Sequence, residues 1–199
     1  MDDIVKQAMA KWPDVPAVFG WLGLDRRGNW IVKGDRIANP IVADFIGRNY
    51  ARDDQGRWFF QNGPQRVYVE LDYTPLVYRL ADGAAARLEA HTGKRAARVE
   101  RTWIDDNGIV LIETELGPGM IDDRDLDRLL PCFTDQRGEP LPEDAVGDAI
   151  ERLQQGSVAR IYFRYPEAIA VASIKAAAVP GALGFVQTPE PAPDQEACV

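Results

Sequence analysis

Apolar positions along this chain recur at two spacings. Val67, Val69 and Leu71 alternate with Arg66, Tyr68 and Glu70, the period of a strand with one buried face. Ile4, Val5, Ala8, Met9 and Trp12 fall on one stripe at helical spacing. They predict a short first helix, capped by Asp2 or Asp3 and ended by Pro13. Asn39 and Pro40 supply the favoured cap and first residue of a second helix, with Ile41, Val42, Phe45, Ile46 and Tyr50 on one face. Two more helices are expected. One covers residues 121–130 behind a run of aspartates. The other covers 142–155, buries Val146, Ala149, Ile150 and Leu153, and is closed by Gly156.

Between the helices a small device repeats. Asp25-Arg26-Arg27-Gly28, Asp53-Asp54-Gln55-Gly56 and Asp105-Asp106-Asn107-Gly108 each precede a run of β-branched or aromatic residues. Aspartate accepts backbone hydrogen bonds at the first position of a type I turn, and glycine takes the positive φ at the fourth. These segments therefore read as three hairpins. Asp135-Gln136-Arg137-Gly138 has the same chemistry, but Pro140 and Pro142 make it a loop. Strands are also expected over 64–80 with a break at Tyr73-Thr74-Pro75, and over 84–90, where an Ala-rich helix is the competing reading, 96–103, 109–116, 158–165 and 168–176. Thr92-Gly93-Lys94 supplies a turn. From 188 onward Pro, Glu, Ala, Asp and Gln predominate, which predicts a disordered tail.

Charge and cysteine content change the picture mainly by exclusion. The chain of 199 residues carries a net charge of −8. Binding nucleic acid needs clustered Lys and Arg that release counterions. Only Arg26 with Arg27, and Lys94, Arg95, Arg98 and Arg101, approach a cluster, and these read as solvated faces. No nucleic-acid partner is expected, nor an anionic membrane surface. No apolar run nears the ~20 residues that cross a bilayer. The opening Met1-Asp2-Asp3 lacks the basic start of a secretory leader. Cys132 and Cys198 are the two cysteines, the second in the polar tail, so a structural disulfide is not expected. A bacterial cytoplasmic protein fits these features, and homo-oligomerisation remains open.

Motif chemistry is sparse. His91 is the one histidine, and a zinc site needs several N or S ligands at short spacing. Asp122, Asp123, Asp125 and Asp127 superficially suggest a calcium loop. That loop wants Gly at its sixth position and Glu at its twelfth, and counting from Asp123 those places hold Arg128 and Thr134. A helix cap with ion pairs to Arg124 and Arg128 explains the cluster better. Gly117-Pro118-Gly119 and Gly181-Ala182-Leu183-Gly184 read as loops and lack the Lys-Ser/Thr pair of a phosphate loop. No metal, cofactor or catalytic residue is assigned.

The most distinctive stretch runs over 56–70. Alternation puts Trp58 and Phe60 on one face and Arg57, Phe59 and Gln61 on the other. An aromatic face with Arg and Asn beside it suits a flat or anionic ligand, which makes Trp58, Asn62, Arg66, Tyr68 and Glu70 the candidate binding residues. The competing reading is a sheet face packed against the helix at 39–50, with Arg66, Tyr68 and Glu70 in a cross-strand network.

Trp21-Leu22-Gly23-Leu24-Asp25, Gly28-Asn29-Trp30, the following helix, Gly56-Arg57-Trp58 and Val67-Tyr68-Val69-Glu70 together resemble bacterial proteins of the domain of unknown function 1285. The resemblance covers roughly residues 21–80. It implies a small α+β fold with a β-barrel-like part and implies no activity.

The fold expected is α+β: antiparallel β-hairpins with about four short helices, in small β-barrel-like or roll subdomains. An N-terminal subdomain would span 1–80 and a C-terminal one 81–187, followed by the tail at 188–199. A single continuous sheet is the alternative. The function that fits is a non-enzymatic module binding a small ligand or a protein partner. The alternatives are a motif-poor enzyme with a carboxylate/Arg site drawn from Glu70, Arg66 or Asp122, and an assembly role through an exposed sheet edge.

Overall fold

The Asp-x-x-Gly turns are built as their chemistry requires. In a computed structural model of the chain, which describes residues 1–12, 15–81, 87–157, 159–192 and 197–198, the Asp25, Asp53 and Asp105 carboxylates each accept two backbone N–H groups across the turn. The distances are 2.9 and 2.8 Å at Asp25, 3.0 and 2.9 Å at Asp53, and 2.9 and 2.8 Å at Asp105. Asp135 does the same at 2.8 and 3.0 Å. The fourth residue of every turn is a glycine at φ between 76° and 82°, which a side chain rarely adopts.

The described chain divides into two compact units. One comprises Met1–Pro75, His91–Gly93 and Gly184–Val199. The other comprises Leu76–Ala90 and Lys94–Leu183. The crossing from one to the other falls at the Tyr73-Thr74-Pro75 break. The α+β class and the hairpins are as expected, and each unit has its own sheet. In both sheets hairpins are joined by parallel pairs, which strand alternation does not reveal.

The first unit contains α1 (Asp3–Lys11), β1 (Ala17–Leu24), β2 (Trp30–Val32), β3 (Asp35–Arg36), α2 (Pro40–Arg48), β4 (Tyr50–Arg52), β5 (Trp58–Asn62) and β6 (Gln65–Leu71). Its sheet runs in the order β3-β2-β1-β6-β5-β4. The β1–β6 pair is parallel and the other pairs in this series are antiparallel. Four strand spacings separate β2 from β4, about 19 Å in a flat sheet. Yet the rings of Trp30 on β2 and Tyr50 on β4 meet at 5.0 Å. The sheet is therefore curled into a half-barrel. Trp30, Tyr50, Trp58 and His91 fill one end of its concave side.

The second helix starts as predicted, with Asn39 Oδ1 accepting from Ile41 N at 2.9 Å. It packs Phe45 edge-on against Phe60 at 5.5 Å and buries Ile46. Ile41 and Val42 stay exposed, and Tyr50 lies beyond the helix in β4. The first helix buries Val5 alone, with Ile4 and Trp12 exposed. Asp2 holds its cap position without a side-chain cap bond. Its carboxylate instead takes Arg48 Nε at 3.4 Å and Asn49 Nδ2 at 3.3 Å, and its backbone N–H donates to Asn49 Oδ1 at 2.8 Å. The expected helix stop at Pro13 lies outside the described residues.

On the convex side Ala17, Phe19, Phe59 and Tyr68 form a cluster. Tyr68, read from alternation as part of a polar face, is buried there, stacked on Phe19 at 4.5 Å. Ala197 and Cys198 add a two-residue parallel pairing to Ala17 and Val18. Of the tail expected over 188–199, residues 188–192 are also described, and 193–196 and 199 lie outside the described residues.

The second unit contains β7 (Leu76–Ala81), β8 (Arg87–Ala90), β9 (Val99–Asp105), β10 (Val110–Thr114), β11 (Gly117–Ile121), α3 (Leu126–Leu129), β12 (Phe133–Thr134), α4 (Glu143–Gln154), β13 (Tyr162–Arg164), β14 (Ala168–Ile174) and α5 (Val179–Leu183). Its sheet order is β12-β13-β14-β9-β10-β11-β7-β8, with parallel pairs β14–β9 and β11–β7. Residues 84–86 and Val158, within strands expected from sequence, lie outside the described residues, as do residues 82 and 83. Gly117-Pro118-Gly119 is strand rather than loop. Gly119 lies so close to β7 that a Cβ would press on Leu76 O and sit 2.6 Å from Tyr78 Cε2. The helix expected over 121–130 is shorter, because Ile121 ends β11 and a 3₁₀ turn over Asp123–Asp125 precedes α3.

The aspartates there are structural. Asp122 is buried, accepts Arg124 N at 3.0 Å and Nε at 2.8 Å, and lies 3.8 Å from Arg79 Nε. Asp125 accepts Leu80 N at 2.9 Å, while Arg128 bonds Asp125 at 3.1 Å and Leu80 O at 3.0 Å. The end of β7 is thereby tied to the turn before α3.

Two outcomes follow. Gly119→Ala is expected to cost about 2–3 kcal/mol through overpacking, read as a lowered denaturant midpoint beside a Gly147→Ala control in α4, whose Cβ meets open space and whose midpoint should rise, by about 1 kcal/mol of added helix stability. Hydrogen bonds from Arg124 hold the Asp122 carboxyl down at about 2, below its ordinary 3.8. A depressed folded value contributes stability above the ordinary value that is lost as pH falls toward 2. Asp122→Asn should cost about 1–2 kcal/mol at pH 7, with the gap from wild type closing below about pH 3. A constant gap across pH would refute the ionic contribution.

Candidate ligand-binding groove

The closed end of the half-barrel leaves the other end open. Strand register places side chains of the concave face in successive rows. Leu24 pairs with Trp30 and Leu71, and Leu22 with Val32 and Val69. Val67 pairs with Val18 and Phe60, and Gln65 with Asn62. The aromatic plug sits toward the first row, and the amides of Asn62 and Gln65 form the last. The nine-residue α2 is too short to roof the whole face.

The result is a groove of about 530 Å³, within the usual range for small-molecule sites. Leu22, Phe60, Val67 and Val18 form its floor. Ile37, Val42, Phe45 and Ile46 come from α2 and the segment before it, and Trp21 and Val32 form the opposite rim. Ten of the twelve lining side chains are apolar and the other two are the amides. Trp21, Val32 and Val42 are exposed, at 42, 37 and 41%. Trp21 reaches the rim because β1 carries extra residues: Val18 pairs with Val67 and Leu22 with Val69, and Gly20 takes φ 71° in the bulge. Lys33 Nζ sits 3.8 Å over the Trp21 ring.

Of the five residues singled out from sequence, Asn62 lines this groove. Trp58 is buried in the plug, tilted against Tyr50 at 4.9 Å. Tyr68 is buried on the convex side, where its hydroxyl donates to Asp53 Oδ2 at 3.1 Å and accepts from Arg57 at 2.9 Å. Arg66 is exposed and lies 4.7 Å over Phe59. Glu70 borders a separate polar hollow of about 410 Å³ with Asp25, Asp72 and Lys33. The five are not brought together. Sequence reasoning missed Val18, Trp21, Val32 and Val42. The available signal was the apolar stripe of α2, which is wider than the strip the helix buries.

Among the described residues no three His, Cys, Asp or Glu side chains are placed to hold a metal ion. No helix among them is long and apolar enough to cross a membrane. Cys132 is a buried free thiol whose pKa is raised by that burial.

His91 belongs to the plug, 5.0 Å from Trp30 and 5.9 Å from Tyr50. Burial lowers its pKa to about 3 against a small opposing pull from Asp25, so the ring is neutral at physiological pH. Its folded value lies below the ordinary 6.5. Stability is therefore present in full above 6.5 and lost as pH falls from there toward 3. No other side chain titrates between 5 and 6.5 at its ordinary value. The melting temperature of wild type should fall over that interval, and His91→Phe should flatten the fall. An equal slope in both proteins would show that His91 is not the group responsible.

A family model described as "Protein of unknown function (DUF2946)" matches residues 1–190. Among solved structures, a DUF1285 family protein from Silicibacter pomeroyi DSS-3 matches at 18% identity and TM-score 0.48, over 60% of this chain and 72% of that one. A DUF1285 family protein from Shewanella baltica OS155 matches at 16% identity and TM-score 0.44, over 57% and 90%. Both carry the name of the family that the hairpin motifs resemble. Comparison with curated proteins gave no match.

Proposed function

The chain belongs to the DUF2944 family, and from that premise we propose that it is a non-enzymatic binding module whose half-barrel groove takes a small, largely apolar molecule. The observation that carries this reading is the groove itself, about 530 Å³ with ten apolar residues among its twelve. Burying apolar ligand surface against such a lining is favourable at roughly 25 cal/mol per Å². The lining offers no ionisable group to act as acid, base or nucleophile. Arg66 and Glu70 stand four residues apart on one strand, about 13 Å. Asp122 is taken up by its ion pair with Arg124. The acidic charge and the buried free thiol support a bacterial cytoplasmic location without a nucleic-acid partner.

The neutral dye N-phenylnaphthylamine tests the reading. Its fluorescence should rise saturably with native protein, and dye at 100 times its dissociation constant should stabilise the fold by about 2.7 kcal/mol. Val67→Phe, which fills the groove floor, should abolish the rise while the protein still melts cooperatively. Dye binding that is absent in wild type, or unaltered in Val67→Phe, would refute the groove as the site.

A further inference from the structure

We propose that the molecule held in the groove has an aliphatic body and an uncharged hydrogen-bonding head, of the alcohol or amide class, with the head at the Asn62–Gln65 end. This deepens the groove reading and rests on it. Three observations carry it. First, none of the lining side chains is ionisable, so a charged head meets no counter-charge among them, while any water it gives up on entering is uncompensated.

Second, the two polar lining residues share one end. Asn62 and Gln65 are paired directly across β5 and β6, in the row beyond Phe60 and Val67. From that row to the Trp58 row is four residues along β5, about 13 Å. The occupant is therefore elongated, apolar along its length and polar at one tip.

Third, the amides are set up to both give and take a hydrogen bond. Gln65 Nε2 donates to Pro16 O at 3.1 Å, which fixes the amide and leaves Oε1 as the acceptor. Asn62 is exposed, and none of the side-chain hydrogen bonds among the described residues involves its amide. It offers a donor and an acceptor. A hydroxyl or amide head matches that pair, whereas a carboxylate lacks the donor that Gln65 Oε1 needs and an ammonium lacks the acceptor for the Asn62 N–H groups. The basic Lys33 side chain is held over the Trp21 ring at the lateral rim, not in the amide row.

Displacement of N-phenylnaphthylamine by decanol, decanoate and decylamine at pH 7 decides the matter. Decanol should displace the dye at concentrations roughly tenfold or more below either charged analogue. Asn62→Leu, on an exposed hairpin position, should keep the wild-type melting temperature and shrink that preference several-fold. Gln65→Leu is the second variant and should act in the same direction. Decanoate or decylamine competing as well as decanol overturns the uncharged head and leaves the groove reading standing. So does a full decanol preference in both variants. Failure of all three compounds to displace bound dye overturns the elongated aliphatic occupant. Failure of the dye itself to bind overturns the groove reading and this inference together.

Discussion

The contact between Trp30 and Tyr50 governs the first unit. These residues sit on strands that a flat sheet would hold far apart, and their rings meet edge to face at 5.0 Å. Bringing them together bends every strand between them. The bend creates a concave face, and Trp58 and His91 complete the packing at one end of it. The concavity at the other end lies where α2 stops short. The groove thus arises from a plug too small, and a helix too brief, to fill the space that the curvature encloses.

The local elements are legible in the sequence because their causes are local. Asp-x-x-Gly specifies a turn through bonds between an aspartate and backbone groups two and four residues on. Asn39-Pro40 specifies a helix start within two residues. The helix over Glu143–Gln154 likewise announces itself through its acidic first turn and apolar stripe. What was not legible depends on residues distant in the chain. Gly117-Pro118-Gly119 looks like a loop until the strand beside it is known. Then the missing side chain at Gly119 becomes the reason β11 can lie against Leu76 and Tyr78.

The candidate site was harder to read for a related reason. Alternation sorts residues into two faces but does not say how each face is covered. Tyr68 sits among charged neighbours in sequence, yet Phe19 stacks on it and Arg57 lies 4.5 Å over its ring. Trp58 looks like a ligand platform, yet Tyr50 on the adjoining strand β4 packs against it. Asn62 alone of the five lies where the concave face opens. The rim residues Trp21, Val32 and Val42 belong to three separate elements, and no spacing rule links them.

The parallel pairs also bear on how the chain reaches this state. Each aspartate turn closes a hairpin over a few residues, at a small entropic cost of loop closure. The seams between hairpins are different. Val18 must find Val67, 49 residues on, and Thr102 must find Val171, 69 residues on. Contacts of such separation slow folding, because chain entropy is lost before they stabilise anything. The hairpins are therefore the early units and the seams the late ones. Curvature, and with it the concave space, exists only once the β1–β6 seam has closed.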